Sequence, residues 1–172
     1  MWFVIGSCLF FDGRAKVEQS EFRRLAAYHE AGHAFADWRT GGRLVRIDMM
    51  TANPTTFFRA APGQKPRQTI MQNLAGPLAE RRVCDDIPLL RRHGRTDFLR
   101  STQIAAEVCG GDRAGRDQFL TDIFGEVTNL LAAPAVWRAI SDLARLLQQV
   151  KTLDGKWAVA VIEVSLRRRL SA

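Results

Sequence analysis

The chain has 172 residues, 47% of them apolar and 25% charged, which excludes an intrinsically disordered protein and fits one domain with a sizeable core. Its net charge of +7 rests mainly on arginines scattered along the sequence, with short clusters at Arg81-Arg82, Arg91-Arg92 and Arg167-Arg168-Arg169. No aromatic residues interleave with these clusters as base-stacking surfaces require, so solvated helix faces account for the charge and a nucleic-acid partner is not expected. Cys8, Cys84 and Cys109 are odd in number and at no ligand-like spacing. They give no disulfide framework, fit a reducing compartment, and read as small apolar packing residues.

Residues 1–11 are apolar but fall short of the about 20 residues needed to cross a bilayer as a helix. They also lack the basic flank of a signal peptide. A packed N-terminal strand, or a misassigned translation start, is the expectation, with residues 1–17 an apolar segment ahead of a helical core at 18–172. The chain therefore reads as cytoplasmic, without a transmembrane span. A helix follows over 25–38, with Ser20 as a candidate N-cap and Thr40-Gly41-Gly42 as its stop. In 44–50, Val45, Ile47 and Met49 alternate with Arg46 and Asp48, the pattern of a half-buried strand. Such a strand would offer an edge to an extended substrate, or simply cover the helices.

Residues 51–66 hold Pro54, Pro62, Gly63 and Pro66 and read as a loop, in which Phe57-Phe58 would line a pocket or anchor the loop on the core. Pro66 is well placed to start a helix, and Ile70, Met71, Leu74, Ala75, Leu78 and Ala79 form its apolar stripe to about residue 83. Pro77 should disturb the middle of that helix, and Gly76 should permit a close helix–helix contact. After an irregular stretch at 85–96, a helix is expected from Thr96-Asp97 through Phe98, Ile104, Ala105 and Val108 to Gly110-Gly111. A polar connection at 111–117, helices near 118–132 and 135–150 parted by Pro134, a turn at 152–155 and a last helix over 157–170 complete the chain. The fold class is mainly α with a small β element.

The first helix carries His29-Glu30-Ala31-Gly32-His33, two of the chain's three histidines four residues apart. At that spacing both imidazoles project from one helix face and can reach a single Zn²⁺. Glu30 can then act as general base on a zinc-bound water, which makes amide hydrolysis the leading chemistry. Ala26, Ala27, Ala31, Ala34, Phe35 and Ala36 give the helix an apolar face. Gly32 costs about 1 kcal/mol of helix stability against alanine, so its presence between two ligands implies that another backbone or a substrate comes close.

A catalytic zinc usually takes a third protein ligand and keeps an open position. The candidates are Glu80, Asp85, Asp86, His93 and Asp97. A carboxylate at the start of a helix is better held than one in mid-loop, which favours Asp97 and leaves Glu80 as the next candidate. The ordinary alternative for Asp97 is a helix-start charge that complements the macrodipole.

The order of these segments resembles the peptidase domain of the FtsH family of AAA zinc proteases, over most of the chain (about residues 25–162). Tyr28-His29-Glu30-Ala31-Gly32-His33-Ala34 is similar to that family's zinc helix, and Leu74-Ala75-Gly76-Pro77-Leu78-Ala79-Glu80 to its L-A-G-x-x-A-E segment. Gly94-Arg95-Thr96-Asp97-Phe98-Leu99, followed by Thr102, Ile104 and Ala105, resembles the segment whose aspartate completes the site. Ala144 to Leu147 and Thr152-Leu153-Asp154-Gly155 are like its closing helix and turn. The resemblance implies a mainly helical, zincin-like peptidase domain with His29, His33 and Asp97 as zinc ligands and Glu30 as base. The sequence departs from the family at Pro77, and it contains no G-x-x-x-x-G-K-[ST] loop and no room for an ATPase module.

The resulting expectation is a single-domain, ATP-independent zinc metallopeptidase acting on flexible or unfolded polypeptides, fed if necessary by a separate unfoldase or adaptor. Two alternatives belong to other classes. The same zinc fold could serve as a catalytically weak regulatory or interaction module, or the basic surface could bind nucleic acid around a structural metal.

Overall fold

A computed structural model describes the chain at residues 8–50, 54–84 and 94–168, with side chains from residue 19 onward. Six helices and a three-stranded sheet make up the described part: α1 (Cys8–Arg39), β1 (Arg43–Asp48), β2 (Thr55–Arg59), α2 (Pro66–Arg81), α3 (Arg95–Val108), α4 (Arg113–Ala132), α5 (Pro134–Leu147), β3 (Thr152–Asp154) and α6 (Gly155–Arg167). The fold is thus mainly α with a small antiparallel sheet, as the periodicities indicate.

The core forms around α1, which packs against α2, α5 and β1. Ala27, Ala31, Ala34 and Phe35 of α1 are buried, as are Ala139, Ile140, Leu143, Ala144 and Leu147 of α5. Their three- and four-residue spacing puts each set on one helix face, and the hydrophobic effect holds the faces together. α2 starts at Pro66 and runs unbroken through Pro77, so the expected disturbance leaves the helix intact. Proline has no N–H, so only the hydrogen bond from residue 77 to the carbonyl of Asn73 is lost.

Several elements differ from the sequence expectation, each for a local reason. α1 runs through Ser20, across the 17/18 boundary, and begins at Cys8, so residues 8–11 are helix rather than strand; residues 1–7 lie outside the described part. β2 occupies part of the expected loop, because Thr55-Thr56-Phe57-Phe58 is β-favouring once β1 offers a partner. The expected turn at 152–155 is instead β3 followed by the first residue of α6. β1 is the central strand in the order β2-β1-β3 and has no free edge, so the edge reading fails for it.

The inward face of β1 also differs from strict alternation. The ladder runs Leu44↔Phe58 and then Arg46↔Phe57, so Val45 is an extra residue in a bulge. Leu44 and Ile47 are therefore buried while Val45 is 42% exposed. In α3 the buried positions are Ser101 and Ala105, whereas Phe98 and Val108 are exposed. α4 starts at Arg113, inside the expected polar connection, because the Asp112 side chain accepts from the Ala114 N–H and caps it. Cys84 and Cys109 are free and half-buried. No helix of the described residues is long and apolar enough to cross a membrane.

Gly32 shows why α1 tolerates a glycine. A Cβ there would lie 2.4 Å from the Ala75 carbonyl oxygen and 2.9 Å from the Ala79 Cβ, so the two helices touch backbone to side. We expect Gly32→Ala to lower stability by about 1–3 kcal/mol despite its better helix propensity, because the backbones must separate. Urea unfolding of the two proteins checks this, and an unchanged or raised midpoint would refute the close contact.

Candidate metal centre

Four elements meet at the motif helix. α1 presents His29 and His33 one turn apart, α2 supplies Gln72 and Glu80, α3 brings Asp97 in its first turn, and β2 brings Thr56. Asp97 Oδ2 lies 3.3 Å from His29 Nε2 and 3.7 Å from His33 Nε2, and the two Nε2 atoms are 3.0 Å apart. The structure therefore brings together three of the expected residues from two separate helices. Among the described residues, His29, His33 and Asp97 form the group whose ligand atoms converge in a way that could hold a metal ion.

The outer hydrogen bonds define which ring nitrogens face inward. His33 Nδ1 donates to the Gln72 carbonyl oxygen at 2.8 Å, and since a carbonyl only accepts, that nitrogen carries the proton. His29 Nδ1 donates to Glu80 Oε2 at 2.9 Å. With both rings neutral, as metal binding requires, each would turn an Nε2 lone pair toward Asp97, and three acceptors would face one point. The separations bracket the about 3.3 Å edge of a tetrahedron with bonds of about 2.0–2.1 Å, the size of a four-coordinate zinc site.

Glu80 is thereby placed on the opposite side of the His29 ring from the convergence point. It orients that imidazole rather than sharing the point with Asp97, the arrangement of a carboxylate behind a ligating histidine. Asp85, Asp86 and His93, the other candidates, lie outside the described residues. Gly76 is the counterpart of Gly32: a Cβ on it would sit 2.4 Å from His33 Nε2, so only a glycine leaves room for the ring.

The electrostatics of the cluster favour positive charge. Burial pushes the His29 imidazole down, but its hydrogen bonds to Asp97 and Glu80, with the charges of Glu30 and Asp97, outweigh this and raise it to about 10. Burial pushes Asp97 up, yet the hydrogen bonds and charges of His29 and His33 win and hold it well below the usual carboxylate range. Glu30 itself is buried, and the Thr56 hydroxyl donates to its Oε2 at 2.7 Å.

A cleft of about 510 Å³ opens onto these residues. Phe22, Ala26, Pro54 and Phe58 give it apolar walls, while Asn73 and Arg100 add polar ones. Phe58, one of the two aromatics of the expected loop, thus lines the cleft. Phe57 lies beneath the Arg46 guanidinium at 4.5 Å from its ring centre.

No protein-family model matches the chain, and no curated protein matches it. Function is accordingly read from the side chains themselves. Two residues of the centre carried no sequence signal: Gln72 contributes through its main chain, and Thr56 falls in a segment whose composition reads as loop.

Behind the centre, Gln72 is fixed by its own side chain. Its Nε2 donates to Thr40 Oγ1 at 2.7 Å and to Asp37 Oδ1 at 3.3 Å, and its Oε1 accepts from Gln64 at 2.7 Å. Asp37 is fully buried and its Oδ2 has no hydrogen-bond partner, so burial pushes its carboxyl up to about 7. The folded protein then binds a proton between about pH 4 and pH 7 that the unfolded chain has released. Stability therefore falls as pH rises through that window, by an amount on the order of 4 kcal/mol. Asp37→Asn should flatten this dependence, measured as urea midpoints from pH 4.5 to 8 in chelator; an unaltered slope would show that Asp37 is ionised without penalty.

Proposed function

We propose that the chain is a zinc-dependent metallopeptidase that hydrolyses peptide bonds in flexible or unfolded polypeptides. The observation that carries this reading is the convergence of His29 Nε2, His33 Nε2 and Asp97 Oδ2 on one point beside Glu30. Two nitrogens and one carboxylate oxygen suit zinc, and three protein ligands leave a position open, as catalytic rather than structural sites do. The likeness of the three motifs to FtsH-type peptidases supports the same reading.

When bound, zinc supplies Lewis-acid polarisation of the scissile carbonyl and lowers the pKa of the attacking water. The chain's own residues do the rest. His29, His33 and Asp97 hold the cation; Glu80 and the Gln72 carbonyl fix the tautomer and angle of each imidazole. Glu30 is the base that takes the water's proton and returns it to the leaving amine. The open cleft borders β2, an outer strand of the sheet, so the edge reading made for β1 passes to β2 as a place for an extended peptide. The 172 residues contain no nucleotide-binding loop, so a folded substrate needs a separate unfoldase or adaptor to deliver it.

Protein expressed with zinc available should carry about one zinc per chain. Glu30→Gln should keep the metal and lower kcat on an unfolded polypeptide by about 10²–10⁴-fold. Glu80→Gln should weaken zinc binding about 10–100-fold through loss of the His29 orientation. Metal analysis, competition with a chromogenic chelator, and cleavage assays measure the three outcomes. Protein free of metal after such expression, or full activity in Glu30→Gln, would refute the assignment; zinc bound with no cleavage would leave the interaction module.

A further inference from the structure

Glu30 is a long side chain with several rotamers, yet a general base must stand within about 2.6–3.2 Å of the proton it takes. Its neighbour His29 is fixed by Glu80, and His33 by Gln72, but neither contact reaches Glu30. The group that does is Thr56. Its hydroxyl approaches Glu30 Oε2 at 2.7 Å and the Glu30 carbonyl oxygen at 3.2 Å, so one proton serves the carboxylate and the helix backbone beneath it.

We infer that Thr56 is a positioning residue for Glu30, fixing the base through β2; this rests on the metallopeptidase reading. Thr56 is suited to the task by its own support. It pairs with Ile47 of β1, a fully buried residue that also pairs with Leu153 of β3, so it lies on the middle line of the three-stranded sheet. Threonine is β-branched and stiff at χ1, which passes the position of the strand to the hydroxyl. With Oε2 anchored, Oε1 is the oxygen left to take the proton.

The test uses the zinc-loaded full chain with Thr56→Val, which keeps the shape, and Thr56→Ser, which keeps the hydroxyl. Steady-state kinetics on a disordered fluorogenic peptide, zinc content, and crystal structures of wild type and Thr56→Val are compared. The valine variant should lose at least about tenfold in kcat, with KM within about twofold and zinc content unchanged, because misplacing a catalytic group costs rate more than binding. The serine variant should recover most of that loss. In the valine crystal the Glu30 carboxylate should leave the place it holds beside Thr56 in the wild type. Unchanged kcat, a defect confined to KM, a serine variant as impaired as valine, or an unmoved carboxylate would each overturn the proposal. Cleavage by neither protein, with the carboxylate displaced in the valine crystal, would instead refute the peptidase reading and leave the positioning contact standing.

Discussion

The separation between α1 and α2 is the constraint on which the centre depends, and two glycines set it. Gly32 lets α1 meet the carbonyl of Ala75, and Gly76 leaves the space that the His33 ring fills. Each glycine costs about 1 kcal/mol of helix propensity. At any wider spacing the Gln72 carbonyl could not accept from His33 Nδ1, and the ring would lose its fixed tautomer. The close crossing also buries Glu80 next to His29, whose Nδ1 donates to its carboxylate. The apolar stripe of α2 then contributes cohesion, while the glycines decide the geometry.

Two buried aspartates show how partners, rather than burial alone, set the charge of this interior. Asp37 and Asp97 are the same residue type and both lose much of their hydration. Asp37 receives one long hydrogen bond from Gln72 and none at Oδ2, so burial wins and its carboxyl rises to about 7. Asp97 faces two imidazoles, which favour its ionised form and drive it the other way. The cluster of Glu30, Glu80 and Asp97 around two histidines therefore concentrates negative charge at one end of the cleft. A proton on His29 meets part of that demand; a divalent cation at the convergence point would meet it more fully.

Much of this was legible in the sequence where local periodicity decides the outcome. The stripe from Ile70 to Ala79, the start at Pro66 and the stop at Gly41 are short-range features, and the helices follow them. The H-E-x-x-H spacing likewise fixes His29 and His33 on one face by helix geometry alone. What escaped depends on long-range partners. β2 and β3 are too short to announce themselves, and exist because β1 has both its edges covered. The bulge at Val45 reverses the facing of Leu44 through a register shift that no alternation pattern contains. Ser20 does not cap because the residues before it continue the helix, so a good capping side chain had no end to cap. Glu80 and Asp97 could be named as candidates but not ranked securely, since their roles differ only in which side of the His29 ring each one meets.

The division of labour among elements explains why a mostly helical chain keeps a sheet at all. α1 supplies two of the converging atoms and Glu30, yet a single helix cannot orient its own side chains beyond rotamer preference. α3 closes the triangle with Asp97, and α2 fixes both rings from behind. The remaining group, Glu30, meets β2 through the Thr56 hydroxyl and borders the cleft. A further helix in β2's place would fill the cleft with side chains. An outer strand instead places Thr56 against the carboxylate and Phe58 along the wall while leaving one edge open. The sheet needs only three strands because its task is to hold one of them still, and Ile47, paired on both sides and fully buried, does so.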